Sequence, residues 1–562
     1  MEDIFSKMLP DGYYTSLVET LKESKVFSKD TALIIDAADN SRANPNKWDI
    51  FHIFRKTILH LGAVSVATLL DRIGFQETKA HYEVLAPINY YLNANPSFVG
   101  ISSIINNIPE SNKRIKLFNQ KKNPPLIAAG GSGYFFNPEL ALDAGADFVI
   151  IGKAEYPLPK ILYEIKKNQN SNMSLKDAFY KTDLSNIKGI AYKRDNKIIN
   201  NGEAPLVKNL DELLEANWNL IAQKYSKKQK TIEDSAGCIH DCDFCAAVII
   251  NGNTYRQKSP ERVLKEIIQA EKEGFKSVFF IGDHFFARGY QKTKEILEGI
   301  KDAKLKLNWT AQASVKSIYD FYNRDPDFIK RLEDSKCSTL HLGIEAVTDE
   351  RLKELNKAST ASQLEFVLKL FDKSKVNVHA MMVILHDMSR KEIMDTVDFL
   401  LKYNVRTAQF FSEIPLPGTK SRQRLLEDHC ILETVGENIV DFSKYTGSYV
   451  IASKTPYETQ KNIRDANRRF YSRRVIFKSF LKAAFVNGDY KTFGFRAGMG
   501  TISRLQNTFI PTLKEYTRNL RKKEYTILSP YISALKEKGE KIIQTYKSRR
   551  ENKKSDYINN KK

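Results

Sequence analysis

Residues 237–249 read G-C-I-H-D-C-D-F-C-A-A-V-I and carry three of the chain's five cysteines, Cys238, Cys242 and Cys245. The spacing is C-x3-C-x2-C. Three thiolates on one short loop match three irons of a [4Fe–4S] cluster and leave the fourth iron without a protein ligand. An open metal position is where a substrate or cofactor coordinates. Two other readings compete. A structural zinc site wants four ligands, and only His240 lies close by, with its side chain expected to point off the loop. Redox use of Cys242 and Cys245 leaves Cys238 unexplained. The cluster accounts for all three thiols.

The rest of the chain sets the setting for that loop. At 562 residues it is long enough for two to four domains. A hydrophobic content of 42% with 32 Phe and 26 Tyr supports large cores and excludes a disordered chain. Five cysteines without a pairing pattern point to a reducing compartment. The first residues lack the apolar run of a signal peptide, and no stretch approaches the length of a membrane span. The expected location is cytoplasmic, or peripheral to the inner face of the cell membrane.

Strand-like apolar runs alternate with helical patterns on both sides of the cysteines. Before them come strands at 31–37 (TALIIDA), 98–103 (FVGISS), 125–130 (PLIAAG) and 147–152 (DFVIIG), with helices at 58–74 and 137–144 and from residue 157. This predicts an α/β fold with a doubly wound parallel sheet over 1–185. Ligands of such sheets bind beyond the carboxyl ends of the strands, where Gly130 and Gly131 would permit close backbone approach. Residues 186–224 read as a hairpin, turned at Asp195-Asn196, and a linker. After the cysteines, Ser259 is the expected N-cap of a helix starting at Pro260, without the acid of a capping box, because Arg262 stands in its place. Strands at 277–281, 308–312, 339–344, 376–385 and 407–414 follow, so 225–425 reads as a β/α barrel whose site lies at the strand carboxyl ends. Cys337 and Cys430 stand alone and read as core thiols.

The cysteine loop, with aromatic Phe244 before its last thiol, resembles the signature of the radical S-adenosylmethionine (SAM) superfamily. The resemblance implies a partial β/α barrel, a [4Fe–4S] cluster on Cys238, Cys242 and Cys245, and SAM chelated to the open iron. One electron, supplied by a donor of ferredoxin or flavodoxin type, then cleaves SAM to methionine and a 5′-deoxyadenosyl radical that takes hydrogen from an unreactive carbon. Gly282-Asp283-His284-Phe285 stands where the family binds the SAM amino group, with His284 replacing a second carboxylate. Gly343-Ile344-Glu345, followed by a helix at 352–357 (LKELNK), matches the family's strand end, so Glu345 is implied in binding the ribose hydroxyls or the amino group. Leu385-His386 stand where glycine is common beside adenine. The run IAAGGSGYFFNPELALDAGADFVIIGKAEYPLPKIL is similar to the cobalamin-binding-type domain preceding the radical core in one large class of the superfamily. The D-x-H-x-x-G signature, whose His ligates cobalt in many cobalamin proteins, does not occur there, so the resemblance leaves open whether cobalamin is bound.

The net charge of +21 is unevenly spread. From residue 456 onward there are 26 Lys and Arg against 9 Asp and Glu. The stretch 464–485 (RDANRRFYSRRVIFKSFLKAAF) interleaves those charges with aromatics, which fits a helical cap, a basic helix on an anionic membrane or a nucleic-acid surface. Helical structure is expected over 426–512 and a basic, partly disordered tail over 513–562. Methylthiotransferases of nucleic acids carry three further N-terminal cysteines and an added RNA-binding barrel. Here no cysteine precedes Cys238 and no strand-rich module follows, which argues against nucleic acid. The architecture and tail resemble radical SAM enzymes of hydrophobic substrates, among them hopanoid methylases and archaeal tetraether-lipid ring synthases. The implied reaction forms a C–C bond on a lipid-like substrate, by ring formation or methylation. A soluble small-molecule methyltransferase and a tRNA- or protein-modifying enzyme are the alternatives.

Overall fold

The computed structural model describes residues 8–37, 59–85, 94–427 and 456–482. The first two strands to pair across the N-terminal part are β1 (Met8–Leu9) and β9 (Leu206–Val207). Between them lie β2 (Thr31–Asp36), β3 (Glu77–Tyr82), β4 (Phe98–Ser102), β5 (Leu126–Gly130), β6 (Phe148–Ile150), β7 (Ile190–Arg194) and β8 (Lys197–Asn200). These seven form one sheet in the order β3-β2-β4-β5-β6-β7-β8. The first five are parallel and the β7–β8 hairpin is antiparallel. Alternate residues supply two cores: Ala32 and Ile34 face one side, Leu33 and Ile35 the other. Burial on both faces is why these strands read as unbroken apolar runs. The order reverses at β2, so the crevice outside the carboxyl ends of β2 and β4 is the place for a ligand.

Two differences from the sequence reading have physical causes. Strand β3 (ETKAHY) escaped it because its polar residues read as surface, whereas Thr78 and His81 are buried and Ile221 bridges Ala80 on the side away from β2. The hairpin assigned to the linker stretch forms the sheet's other edge, pairing with β6 through Ile190 to Tyr192. Its Asp195 and Asn196 both take positive φ, 48° and 60°, as a tight two-residue hairpin turn requires.

The second half continues with β10 (Gln229–Ile232), β11 (Ser235–Gly237), β12 (Tyr255–Gln257), β13 (Ser277–Phe280), β14 (Asn308–Ala313), β15 (Cys337–Gly343), β16 (Asn377–Ile384) and β17 (Thr407–Ser412). Six of these form a parallel sheet in the order β10-β13-β14-β15-β16-β17, a partial barrel. The helix Pro260–Lys272 begins as expected, with the Ser259 side chain accepting from Arg262 N at 3.1 Å. Helices cover the outer face, where Phe280, Ala311, Leu340, Ala380 and Met382 are fully buried. The inner face stays open: along β16, His379, Met381 and Val383 are only half-buried while their neighbours are buried.

The carboxyl ends of the two sheets meet. Lys153, just past β6, pairs with Glu233, just past β10, at 2.6 Å. Thr231 of β10 donates to the carbonyl of Leu59 at 3.2 Å. On the far side, a Cβ placed on Gly418 would lie 2.9 Å from the ring of Phe136, so the turn closing the barrel seats against the N-terminal domain. Helices Pro456–Phe470 and Arg473–Lys482 follow, the first packing on β17 through Phe470 and Phe410, whose ring centroids are 6.1 Å apart. The remaining tail expectations, and Cys430, lie outside the described residues. Cys337 is a buried core thiol, as its isolation suggested. No helix among the described residues is long and apolar enough to cross a membrane.

Candidate active site

The cysteine loop is a stapled excursion from the barrel. β11 and β12 pair antiparallel at its base, with Gly237 opposite Tyr255. The loop is pinned from outside by Asn356 Nδ2 to the Asp241 carbonyl (2.6 Å), Asp243 N to the Leu355 carbonyl (3.4 Å) and Ser421 N to the Asp243 carbonyl (2.9 Å). Cys238, Cys242 and Cys245 are unpaired, half-buried thiols. Burial raises the pKa of each, and Lys357 opposes the shift at Cys238 and Cys242. The amide of His240 donates to Cys238 Sγ at 3.5 Å. Among the described residues no three His, Cys, Asp or Glu side chains converge as ligands of one metal ion. A cubane spreads its thiolates further apart than a single ion does. Three thiols on one stapled loop, with a backbone donor and a lysine beside them, fit a cluster that carries net negative charge.

Beneath the loop a buried network fixes the strand ends. Asp234 and Arg288 are both fully buried and paired, with the guanidinium 4.5 Å from the Phe285 ring centroid. Gly282 N and Ser235 Oγ complete the Asp234 carboxylate, each at 3.1 Å. Removing one partner of such a pair costs roughly 3–5 kcal/mol, because the other charge is left buried alone. The network locks the end of β10 to the turn after β13, and so sets Asp283.

Asp283 Oδ2 accepts from Gly237 N at 3.2 Å and from Asn251 Nδ2 at 3.3 Å. One carboxylate oxygen therefore latches the loop, and the other is left for a ligand. Burial raises its pKa, against the pull of Lys153. His284 does not replace a second carboxylate in kind. It is buried and neutral, its pKa pushed down to about 3 by desolvation, with Nε2 3.1 Å from Ser317 Oγ. The His240 ring lies against it, centroids 5.1 Å apart. Phe244 is half-buried against the main core.

Glu345 is the most constrained residue of the site. Its φ is +63°, in the left-handed region. For a non-glycine residue that costs of order 1–3 kcal/mol and persists only where the surroundings over-determine it. Here Glu345 N donates to the Met381 carbonyl at 3.0 Å, and the buried side chain lies 3.9 Å from Lys357 Nζ. Burial raises its pKa to about 7, against the effect of Lys357. A Cβ on Gly343 would come within 2.9 Å of Glu345 Oε1, so the glycine makes room for this pair. Lys357 ends the LKELNK stretch, and sequence reasoning gave it no role. It is the positive charge shared by the thiols and Glu345.

At the N-terminal crevice the glycines turn out to serve the chain itself. Gly131 has φ +93°, and a Cβ there would stand 2.4 Å from the Ser103 carbonyl. One on Gly133 would stand 2.8 Å from the Ile104 carbonyl carbon. Gly130 meets only ordinary contacts, its nearest atom the Ile150 Cβ at 3.5 Å. The close approach is backbone on backbone. Asp36, the last residue of β2, holds His60 across 3.0 Å. Sequence reasoning missed that pair, since its members are far apart in the chain.

The open inner face of the barrel is the other missed feature. His341 stacks on Phe279 (centroids 5.3 Å apart) and meets the His379 ring at a tilt (5.0 Å). Burial lowers both imidazole pKa values, that of His341 to about 4, so both are neutral. The inner-face positions of β13 to β17 carry no Asp, Glu, Lys or Arg. On β16 the polar alternation ends at His379, because Met381 and Val383 on the same face are apolar, so the strand alone carried no clear signal.

Residues 232–400 match the family described as the Radical SAM superfamily. The chain is 24% identical over 400 residues to an uncharacterized methyltransferase of Pyrococcus horikoshii, covering 69% of this chain and 82% of that one. Two solved structures share the fold. One is the cobalamin-dependent S-adenosylmethionine radical enzyme OxsB with aqua-cobalamin bound (TM-score 0.60, 16% identity, 91% of this chain and 81% of that one). The other is the radical S-adenosylmethionine methyltransferase TsrM of Kitasatospora setae (TM-score 0.59, 12% identity, 84% and 99%). A radical SAM domain thus spans residues 232–400, and the chain shares its fold with radical SAM enzymes whose structures hold cobalamin.

Proposed function

We propose that the protein is a corrinoid-dependent radical SAM enzyme that forms a carbon–carbon bond by methyl transfer to an unactivated carbon of an uncharged, hydrophobic substrate. The observation that carries this reading is the meeting of the two sheets at their carboxyl ends, across the Lys153–Glu233 pair. The seam joins the ends of β6 and β10 through this pair and the helix after β2 to β10 through Leu59 and Thr231, and Asp283 feels the charge of both Lys153 and Glu233. When bound, the cluster and SAM supply a 5′-deoxyadenosyl radical and the corrinoid a methyl group. Cys238, Cys242 and Cys245 would hold the cluster, with Lys357 offsetting its charge. Glu345 and the unlatched oxygen of Asp283 would accept hydrogen bonds from SAM. The neutral, half-buried lumen offers stacking and hydrogen bonds without a counter-ion, which suits an uncharged substrate. A one-electron donor of ferredoxin or flavodoxin type completes the reaction.

The test is the visible spectrum of anaerobically reconstituted protein, desalted after incubation with hydroxocobalamin. Retention of about one corrin per chain, as a tight site gives, supports the reading. Cluster absorbance without corrin overturns it and favours the second reading, radical ring closure on the same kind of substrate. One observation speaks for that second reading: the glycines after β5 are filled by the chain's own backbone at Ser103 and Ile104.

Glu345 gives a pH test of SAM binding. Below its pKa of about 7 the side chain carries a proton and accepts hydrogen bonds poorly; above it, the carboxylate is available. SAM affinity should therefore rise as the pH passes upward through about 7, and Glu345→Gln should flatten the profile. The unliganded fold has the opposite dependence at this group, losing its contribution as the pH rises from the ordinary 4.5 to about 7. A Glu345→Gln protein that kept the wild-type pH profile would remove Glu345 from SAM binding.

The hydrophobic, lipid-like substrate class has its support in the C-terminal helix Arg473–Lys482. Phe477, Phe480 and Leu481 are exposed there beside Arg473, Arg474 and Lys478. Such a face suits an anionic membrane surface. Flotation with anionic but not neutral vesicles is expected. Equal recovery with both, or with neither, would leave the substrate class to the lumen alone.

A further inference from the structure

The inner face of the barrel keeps three polar side chains without a partner. Strand register sets them side by side: Thr310 of β14 pairs with Thr339 of β15, and Thr339 with Asn377 of β16. Two residues further along, His341 pairs with His379 on that same face. Thr310 and Asn377 are 7% and 4% exposed, and neither Thr310 Oγ1 nor Asn377 Oδ1 has a hydrogen-bond partner. His341 contacts the rings of Phe279 and His379 but makes no side-chain hydrogen bond among the described residues.

The polar groups around them are already engaged. Asn377 Nδ2 donates to Thr407 Oγ1 at 3.3 Å, and that hydroxyl lies 2.9 Å from His379 Nδ1. The Gln409 side chain bonds the same imidazole. This chain holds the Asn377 amide in one orientation, with its oxygen as the free end. A buried polar atom left unpaired is costly, and folded proteins seldom leave one without a reason. Three unpartnered groups on adjacent strands, in the open face of a barrel, mark a place for a ligand. An ion is the wrong occupant, because no charged side chain on the inner face of β13 to β17 would offset its desolvation. The Asn377 oxygen needs a donor, whereas the Thr310 hydroxyl and the neutral His341 ring can each donate or accept. A hydroxyl satisfies all three. An ordered water is the competing occupant.

We infer that Asn377, Thr310 and His341 determine specificity by binding a neutral hydroxyl group of the substrate. The inference rests on the uncharged, hydrophobic substrate proposed above. Asn377 pairs with Thr339, four residues before Gly343 at the end of β15. At the rise of a parallel strand that is about 13 Å below the end where Glu345 stands. The hydroxyl is therefore remote from the carbon that reacts, and it fixes the depth to which the substrate enters.

The test measures binding of two isosteric probes to the anaerobically reconstituted full chain by equilibrium dialysis. One is naphthalenemethanol; the other is ethylnaphthalene, with a methyl in place of the hydroxyl. The alcohol should bind roughly tenfold tighter. That preference should disappear in Asn377→Leu and Thr310→Val, which nearly keep the side-chain volumes, and in His341→Phe, which keeps the ring against Phe279. Three variants on three strands keep the test decisive if one fails to fold. Equal affinities in the wild type would show that the groups hold water only and overturn the inference. A preference undiminished in the folded variants, or no saturable binding of either probe, would overturn it too. Naphthoate should bind more weakly than both; if it binds tightest, the uncharged-substrate reading falls with the inference. The corrinoid reading is untouched by these outcomes, since corrin retention is measured separately.

Discussion

A Cys242→Ala chain, reconstituted anaerobically with iron and sulfide, is expected to assemble no stable [4Fe–4S] cluster and to release no 5′-deoxyadenosine from SAM under reduction. The loss should be complete, because no other thiol among the described residues stands beside the three. Cys337 is buried in the barrel core at the far, amino end of β15, and the His240 ring is turned against His284. Nor should the substitution unfold the protein. Cys242 is half-buried, and the loop around it is held by backbone bonds at Asp241 and Asp243. Circular dichroism and the thermal midpoint should thus stay close to the wild type while the absorbance and the 5′-deoxyadenosine signal vanish together. A Cys242→Ala protein that still cleaves SAM at even a tenth of the wild-type rate would sink the cluster assignment and with it the reading of the site.

What was legible beforehand follows a physical pattern. The central parallel strands announced themselves because burial on both faces writes continuous apolar runs, as in TALIID and LIAAG. The cysteine loop was legible because its chemistry is local: three ligands within eight residues. What stayed hidden depends on distant segments or on open surface. Strand β3 is polar in sequence, yet Thr78 and His81 are buried by segments distant in the chain. Strand β10 is short, with Lys230 buried in ion pairs to Glu273 (2.8 Å) and Glu215 (3.6 Å) rather than by apolar residues. Lys357 looked like one more surface lysine until the fold put it between Glu345 and the thiols. His379 and Met381 alternate with buried residues, but nothing in one strand says that its inner face is a lumen. The glycines after β5 show the converse hazard. A glycine run reads as room for a ligand, whereas Gly131 and Gly133 are required by the chain's own crossing at Ser103.

Gly237→Ala tests how much of the site depends on the loop's geometry rather than its ligands. Gly237 has φ +84°, and an added Cβ would stand 1.8 Å from the Thr254 carbonyl oxygen. The obstacle is backbone, so the β11–β12 pairing has to open. With it goes the Gly237 N to Asp283 bond, which ties the loop to the end of β13. Gly202→Ala is the matched control: its φ is +80°, and nothing lies within 4 Å of an added Cβ. Both variants carry the left-handed strain, about 1–2 kcal/mol, but only Gly237→Ala carries the collision. Overpacking of this kind adds about 1–3 kcal/mol. Gly202→Ala should show a modest fall in thermal midpoint and full cluster content. Gly237→Ala should show a larger fall and lose most of its cluster, although every cysteine is present. Equal cluster content in the two variants would mean that the three thiols find the iron without the staple, and that the hairpin at the base of the loop is not what sets their spacing.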